Sequence, residues 1–217
     1  MYSRSFWDKF YREHFNDAPW MQPESNNSYF QVIRKYLGKD LKNKSILDYG
    51  CGNGRTTYGL IDYGAQIDYV EISTILFESL KKSYDNNDKV NVFLADNPSD
   101  FFQKHPEKKY DVIIAWALMH HIDREHRKEF CDAFVNMMKK GSVLLIGGWD
   151  SSDSLFENGV SLSSYTNMAM WSINDLLNCF GDNELEIVYN DVVNLEHEWN
   201  EFHPHLKFRC LMFRKIV

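Results

Sequence analysis

Leu47-Asp48-Tyr49-Gly50-Cys51-Gly52-Asn53-Gly54 is a strand end that runs into three glycines at alternate positions. Ser45 to Tyr49 reads as a short apolar strand, and the glycines after it let backbone approach a ligand closely. The start of the following helix offers N–H groups with no partner in the helix itself. A dinucleotide fingerprint, G-x-G-x-x-G, is not met, because Arg55 stands where its third glycine belongs. The pattern is instead D-x-G-x-G-x-G. Glu71 follows Asp48 by 23 residues, after a second strand-like run from Ala65 to Val70. A carboxylate in that place can accept two hydrogen bonds from a ribose diol.

Moving outward, the chain alternates strand and helix signals. Thr56 to Tyr63 is expected to be a helix stopped by Gly64, and Ser73 can cap a helix to about Tyr84. Val90 to Leu94, Tyr110 to Ala115 and Val143 to Ile146 read as further strands, with a helix over Asp123 to Met138. Lys139-Lys140 reads as the solvated end of that helix. This alternation predicts a parallel, doubly wound sheet. After Gly148 the rhythm changes: a polar stretch, a helix over about Ser172 to Phe180, then Leu185 to Val193 and Lys207 to Arg214. No helix fits between the last two runs, so they are expected to pair antiparallel. Upstream, Phe6, Trp7, Phe10, Tyr11 and Phe15 fit a short aromatic helix, and Tyr29 to Leu37 a second one closed by Gly38.

Composition sets limits. The chain has 217 residues, 44% hydrophobic and 25% charged, which is ordinary for a folded domain and excludes a disordered one. Its net charge of −7 argues against a protein whose main task is to grip a phosphate backbone. Cys51, Cys131, Cys179 and Cys210 lie 80, 48 and 31 residues apart, with no CxxC pair. That spacing gives a cysteine zinc site no support and suits reduced thiols in a cytosolic protein. No apolar run has the length of a signal peptide or a membrane span. The expectation is a soluble, cytoplasmic protein, monomer or homodimer, with no membrane or nucleic-acid partner.

The glycine loop, Glu71, Asp96 after the third strand, Tyr110 to Ile122 and Lys140 to Ile146 together resemble the class I S-adenosylmethionine-dependent methyltransferases, over about residues 44–217. The resemblance implies a Rossmann-like α/β three-layer sandwich. Its sheet is mostly parallel and seven-stranded with an antiparallel last strand, and residues 1–43 form an N-terminal helical cap. It implies S-adenosyl-L-methionine as cofactor and S-adenosyl-L-homocysteine as product. Asp48, Gly50, Cys51, Gly52, Asn53 and Gly54 would cradle the methionine part. Glu71, with Ile72, would hold the ribose, and Ala95, Asp96 and Asn97 the adenine, with Ala115 and Trp116 beside them. Arg55 meets either the cofactor carboxylate or its own helix. Trp7, Tyr11 and Ala18-Pro19-Trp20 are similar to the cap of the tellurite- and thiopurine-methyltransferase-like branch.

Methyl transfer from a sulfonium needs alignment and exclusion of water, not a metal, and no metal is expected. A hydroxyl acceptor is helped by a base, and His120, His121 and His203 are the candidates. Adjacent residues point differently, so at most one of His120 and His121 faces substrate, and the other can cap the helix near Asp123. Tyr11, Trp20, Trp149, Tyr165 and His205 are the candidate substrate contacts. The run Ala115-Trp116-Ala117-Leu118 lacks the D/N-P-P-Y/F pattern of base-amino methyltransferases, which favours a small-molecule acceptor. Oxygen is the first choice of acceptor atom, nitrogen or sulfur the second. Two rivals stand beside this reading: a non-catalytic protein that binds the same cofactor, and an NAD-dependent oxidoreductase, which the missing third glycine opposes.

Overall fold

β1 (Ser45–Tyr49) occupies the middle of a seven-stranded sheet ordered β3-β2-β1-β4-β5-β9-β8. The computed structural model describes residues 3–15, 26–38, 40–150, 160–161, 167–168, 171–181, 185–193 and 207–217. The strands are β2 (Gln66–Glu71), β3 (Val90–Leu94), β4 (Tyr110–Trp116), β5 (Met138–Asp150), β8 (Leu185–Val193) and β9 (Lys207–Lys215). Neighbours from β3 to β5 pair in parallel, and β9 runs antiparallel to both β5 and β8. The expected antiparallel last strand is therefore present. Two short strands, β6 (Val160–Ser161) and β7 (Asn167–Met168), form a separate antiparallel ribbon.

Side-chain alternation builds two cores from one sheet. Ile46, Ile67, Tyr69, Val112, Ile114 and Leu145 face α2 (Asn26–Leu37), the segment around Leu60, and α3 (Thr74–Tyr84). Leu47, Val70, Ile113, Ala115, Leu144 and Ile146 face α4 (Pro98–Lys104), α5 (Arg124–Met137) and α6 (Ile173–Phe180). Burial on both sides explains why β1, β2 and β4 read as continuous apolar runs. Each fully buried Leu or Ile contributes about 1.5–3 kcal/mol. Within residues 1–43, Ile33 of α2 is fully buried in the first core, whereas α1 (Arg4–His14) packs Phe10 and Tyr11 on Leu76 of α3 in a small cluster of its own.

Three local readings change. Residues after the glycine loop form a 3-10 helix, Tyr58–Tyr63, not an α-helix from Thr56. Thr57 spends its hydroxyl on Asp48 at 2.6 Å, and a Cβ on Gly59 would meet the Phe30 ring at 2.7 Å. These contacts hold the segment tight against β1 and α2. β5 begins at Met138, far earlier than Val143, through an irregularity that takes up residues 139–142. Lys139 is thus a strand residue, and its ammonium lies 2.9 Å from Asp111 and 3.0 Å from the Ser45 hydroxyl. Finally, the seven-residue α4 is a helix that periodicity does not reveal, since Asn97 caps it and Pro98 opens it.

Gly147 gives a stability prediction. Trp116 is nearly buried, and its indole lies directly over Gly147, where any Cβ would overlap the ring. Gly147→Ala is expected to cost about 1–3 kcal/mol in urea unfolding, because the indole must leave its place. An unchanged midpoint would contradict this packing.

Candidate functional site

The site lies at the C-terminal ends of β1, β2 and β4. Gly50, Gly52 and Gly54 have φ of +70°, +60° and +75°. At Gly50 a side chain would also strike Leu118 at 2.9 Å, whereas among the described residues nothing lies within 4 Å of the Cβ position of Gly52. At Gly52 the loop thus shows bare backbone to open space among the described residues, while a Cβ on Gly54 would meet Leu80 and Tyr69 at 3.2 Å. Glu71, the last residue of β2, reaches across to it. Its Oε2 accepts the Gly52 N–H at 2.8 Å, and its Oε1 accepts the N–H groups of Ile72 and Ser73, both at 2.9 Å. A carboxylate has about four acceptor positions, so three are taken by backbone and one remains on Oε2. Glu71 therefore ties the loop to the turn before α3, and among the described residues one acceptor position on Oε2, where two were expected for a diol, is left over. Loop, open space and carboxylate fit a nucleoside-bearing cofactor.

Several residues expected at the cofactor also have partners within the protein. Asp48 is 1% exposed and faces inward, bound to Thr57. Cys51 is buried, and the Asn53 side chain accepts the Arg55 N–H at 3.2 Å in a local turn. Because no α-helix begins at Thr56, Arg55 has no helix of its own to cap. Ala95 is buried and its N–H bonds the Glu71 carbonyl at 3.1 Å. Asn97 caps α4, its Oδ1 taking the Asp100 N–H at 2.8 Å. Ala115 lies in the second core and Trp116 packs on Phe208, with ring centres 5.1 Å apart. Ala117, at φ +53°, turns the chain off β4 so that Leu118 lies beneath Gly50.

Helix α1 closes this end of the sheet at three points. Arg4 pairs with Asp96 at 3.1 Å. Asp8 accepts the Ser73 hydroxyl at 2.9 Å and the Thr74 N–H at 2.7 Å, at the start of α3 and two residues from Glu71. Burial raises the Asp8 pKa, but these hydrogen bonds outweigh it and hold the carboxyl below its usual range. Trp7 meets His121 edge to face, with ring centres 5.1 Å apart. Tyr11 instead packs α1 on α3 and stacks on Trp7. Arg4, Trp7 and Asp8 are thus members of the site that the candidate set omitted. For Trp7 the signal was its i, i+4 spacing from Tyr11; Arg4 and Asp8 carry none in sequence.

His120 and His121 sit on the 3-10 turn Met119–His121 after β4, their rings 4.3 Å apart. His120 is 2% exposed, and its Nδ1 has no partner among the described residues. Burial pushes the His120 pKa far down, helped by the charges of His121 and Arg127. The half-buried His121 is pushed down to about 4, also by burial. Both imidazoles are neutral at pH 7. Arg127, itself 1% exposed, holds the Ile122 carbonyl at 3.1 Å and fixes the corner between this turn and α5. Asp123, Glu125 and His126 bring ligand atoms within 4.8 Å of one another at the start of α5. Acidic groups are common at a helix N-terminus, where they suit the dipole. Trp20, Tyr165, His203 and His205 lie outside the described residues, as does the side chain of Trp149.

Two buried carboxyls give the site a pH dependence. Burial raises Asp48 to about 7, against the Thr57 hydrogen bond and with help from the charge of Glu71. Glu71 also rises to about 7 through burial, although its three backbone donors oppose the shift. A carboxyl raised in the fold contributes stability that is complete below pH about 4 and is lost as pH rises through about 7. Asp48→Asn keeps the shape and removes the charge. Its melting temperature is expected to match the parent at pH 3 and exceed it at pH 8, by at most roughly 4 kcal/mol in free energy. Equal melting temperatures at both pH values would contradict a strained Asp48.

Residues 21–190 match the pattern of a family described as methyltransferase domain. A tRNA U34 carboxymethyltransferase of Glaesserella parasuis is 26% identical over 110 residues, 49% of this chain and 32% of that protein. The chain thus spans about a third of that relative's length. A ubiquinone biosynthesis O-methyltransferase of Rickettsia bellii is 24% identical over 164 residues, 75% of this chain and 65% of that protein. Among solved structures, a 1,6-didemethyltoxoflavin-N1-methyltransferase from Burkholderia thailandensis, with 1,6-didemethyltoxoflavin and S-adenosylhomocysteine bound, superposes with a TM-score of 0.71. The superposition covers 99% of this chain and 87% of that one at 17% identity, a likeness of fold.

Proposed function

The chain belongs to the methyltransferase-domain family, and from that premise we propose that it transfers the methyl group of S-adenosylmethionine to a small-molecule acceptor. The observation that carries the reading is the Glu71 carboxylate locked to the Gly52 N–H beneath open space. When bound there, the cofactor supplies a methyl on a cationic sulfur that leaves as a neutral thioether. The residues of the chain do the rest. The loop backbone and Glu71 bind and orient. Helix α1, latched through Asp8 and Arg4, shields the site from competing water.

The finer reading is transfer to oxygen, with His121 accepting the proton at an imidazole nitrogen. A pKa of about 4 makes His121 too weak to ionise an alcohol beforehand. It is sufficient during transfer, because an oxygen that is gaining a methyl becomes strongly acidic. Trp7 against His121 forms the wall for such an acceptor. The charge of −7 and the absence of a D/N-P-P-Y/F run favour a small molecule over RNA. Transfer to nitrogen or sulfur is the second reading, since neither requires the histidine. A cofactor-binding protein without turnover is the rival of another class. Turnover assays with labelled S-adenosylmethionine and panels of phenols, amines and thiols test the assignment. Labelling of amines or thiols, with phenols left unlabelled, would overturn the oxygen reading.

No membrane partner is proposed. Among the described residues, no helix is long and apolar enough to cross a membrane.

A further inference from the structure

Shielding the site requires only that α1 lie over it, yet Asp8 reaches into the turn that carries Glu71. Its Oδ1 accepts the Ser73 hydroxyl at 2.9 Å and the Thr74 N–H at 2.7 Å. Ser73 and Thr74 are the N-cap and first residue of α3, where backbone N–H groups have no partner within the helix. Ser73 is fully buried, so its hydroxyl hydrogen needs an acceptor inside the protein. The hydroxyl oxygen accepts the Leu76 N–H at 3.5 Å, and Asp8 takes its hydrogen. On the other side of the turn, the Ser73 N–H donates to Glu71 Oε1 at 2.9 Å, and Glu71 Oε2 accepts the Gly52 N–H at 2.8 Å. An unbroken hydrogen-bonded path thus runs from α1 through Ser73 and Glu71 to the glycine loop.

We propose that Asp8 is a positioning residue for the cofactor: it fixes the turn that holds Glu71, so that docking of α1 and binding of the cofactor strengthen each other. The inference rests on the cofactor reading of the loop and Glu71. Hydrogen bonds to a carboxylate are the stronger kind, and two of them from adjacent residues confine the turn. With Asp8 removed, the Ser73 hydroxyl and the Thr74 N–H lose one shared acceptor together. The turn then shifts to satisfy them. That shift reaches Glu71 through the Ser73 N–H, and the loop through Gly52. Arg4, one turn earlier on the same face of α1, pairs with Asp96 at 3.1 Å, but both side chains are partly exposed and such pairs contribute little. Asp8 is therefore the main link between the helix and the loop.

Coupling of this kind is reciprocal. If docked α1 tightens cofactor binding by some factor, bound cofactor must favour docked α1 by the same factor. A helix packed there only for stability would show neither change.

The test uses the full chain and S-adenosylhomocysteine. By calorimetry, Asp8→Ala is expected to weaken binding about five- to tenfold, the lower part of the range for coupled sites, with circular dichroism to show that it folds. Asp8→Asn keeps a side-chain oxygen for both donors and should stay within about threefold of the parent. Hydrogen exchange on the parent supplies the reciprocal readout. The amides of Arg4–His14 should exchange about five- to tenfold more slowly at saturating S-adenosylhomocysteine. If Asp8→Ala does not fold, that measurement decides alone. A parent that binds no S-adenosylhomocysteine overturns the cofactor reading and this inference with it. A parent that binds overturns this inference alone if α1 exchange is unchanged, if Asp8→Ala keeps full affinity, or if Asp8→Asn loses as much as Asp8→Ala.

Discussion

Glu71→Ala is expected to weaken S-adenosylhomocysteine binding by about ten- to a hundredfold, the range for losing a hydrogen bond to a charged group. The loss has two sources. One is the acceptor position that Oε2 keeps for a ligand hydroxyl. The other is the tether to Gly52, without which the loop no longer holds its open backbone in place. Glu71→Gln should not rescue the loss. All three neighbours are N–H donors, so the amide would turn its own NH2 against at least one of them. Calorimetry on both variants, with circular dichroism to show that they fold, reads the effect. Unchanged affinity in both would remove Glu71 from the binding site.

His121→Ala should lower turnover by about a hundred- to ten-thousandfold, the range for a positioned acid–base group, while S-adenosylhomocysteine affinity stays within a few-fold. His120→Ala acts differently. His120 is 2% exposed, so its removal leaves a cavity and should appear mainly as lost stability. Trp7→Ala takes away the ring that borders His121 and should raise KM more than it lowers kcat. Near-normal rates in His121→Ala would exclude the histidine and move the reading towards nitrogen or sulfur.

The parts of this fold that local pattern can express were legible in the sequence. Ile46 and Leu47 face opposite cores, and this burial on both sides is why β1 was readable as a short apolar run ending in glycines. Gly50, Gly52 and Gly54 marked a loop of exposed backbone, which the structure holds at positive φ, and Glu71 lies at the end of β2 as its spacing from Asp48 suggested. The misreadings arose where one residue serves a distant or unexpected partner. Asn97 stands beside Asp96 where the resemblance implies a cofactor contact, and its side chain also caps a short helix that no local pattern shows. Asp96 is paired by Arg4, and Ser73 by Asp8, which is 65 residues away in sequence. No window of sequence contains such a contact. Lys139 looked like a helix end because the irregularity at 139–142 interrupts the strand pattern of β5.

The central claim is that the loop and Glu71 form a site for the methyl-donating cofactor, and one titration addresses it most directly. Purified protein is titrated calorimetrically with S-adenosylhomocysteine at pH 8, where Glu71 is mostly ionised, and in parallel with NAD. One-to-one binding of S-adenosylhomocysteine, weaker at pH 6 and lost with Glu71→Ala, with no heat from NAD, is the expected result. Binding of NAD, or none of S-adenosylhomocysteine at either pH, would contradict it.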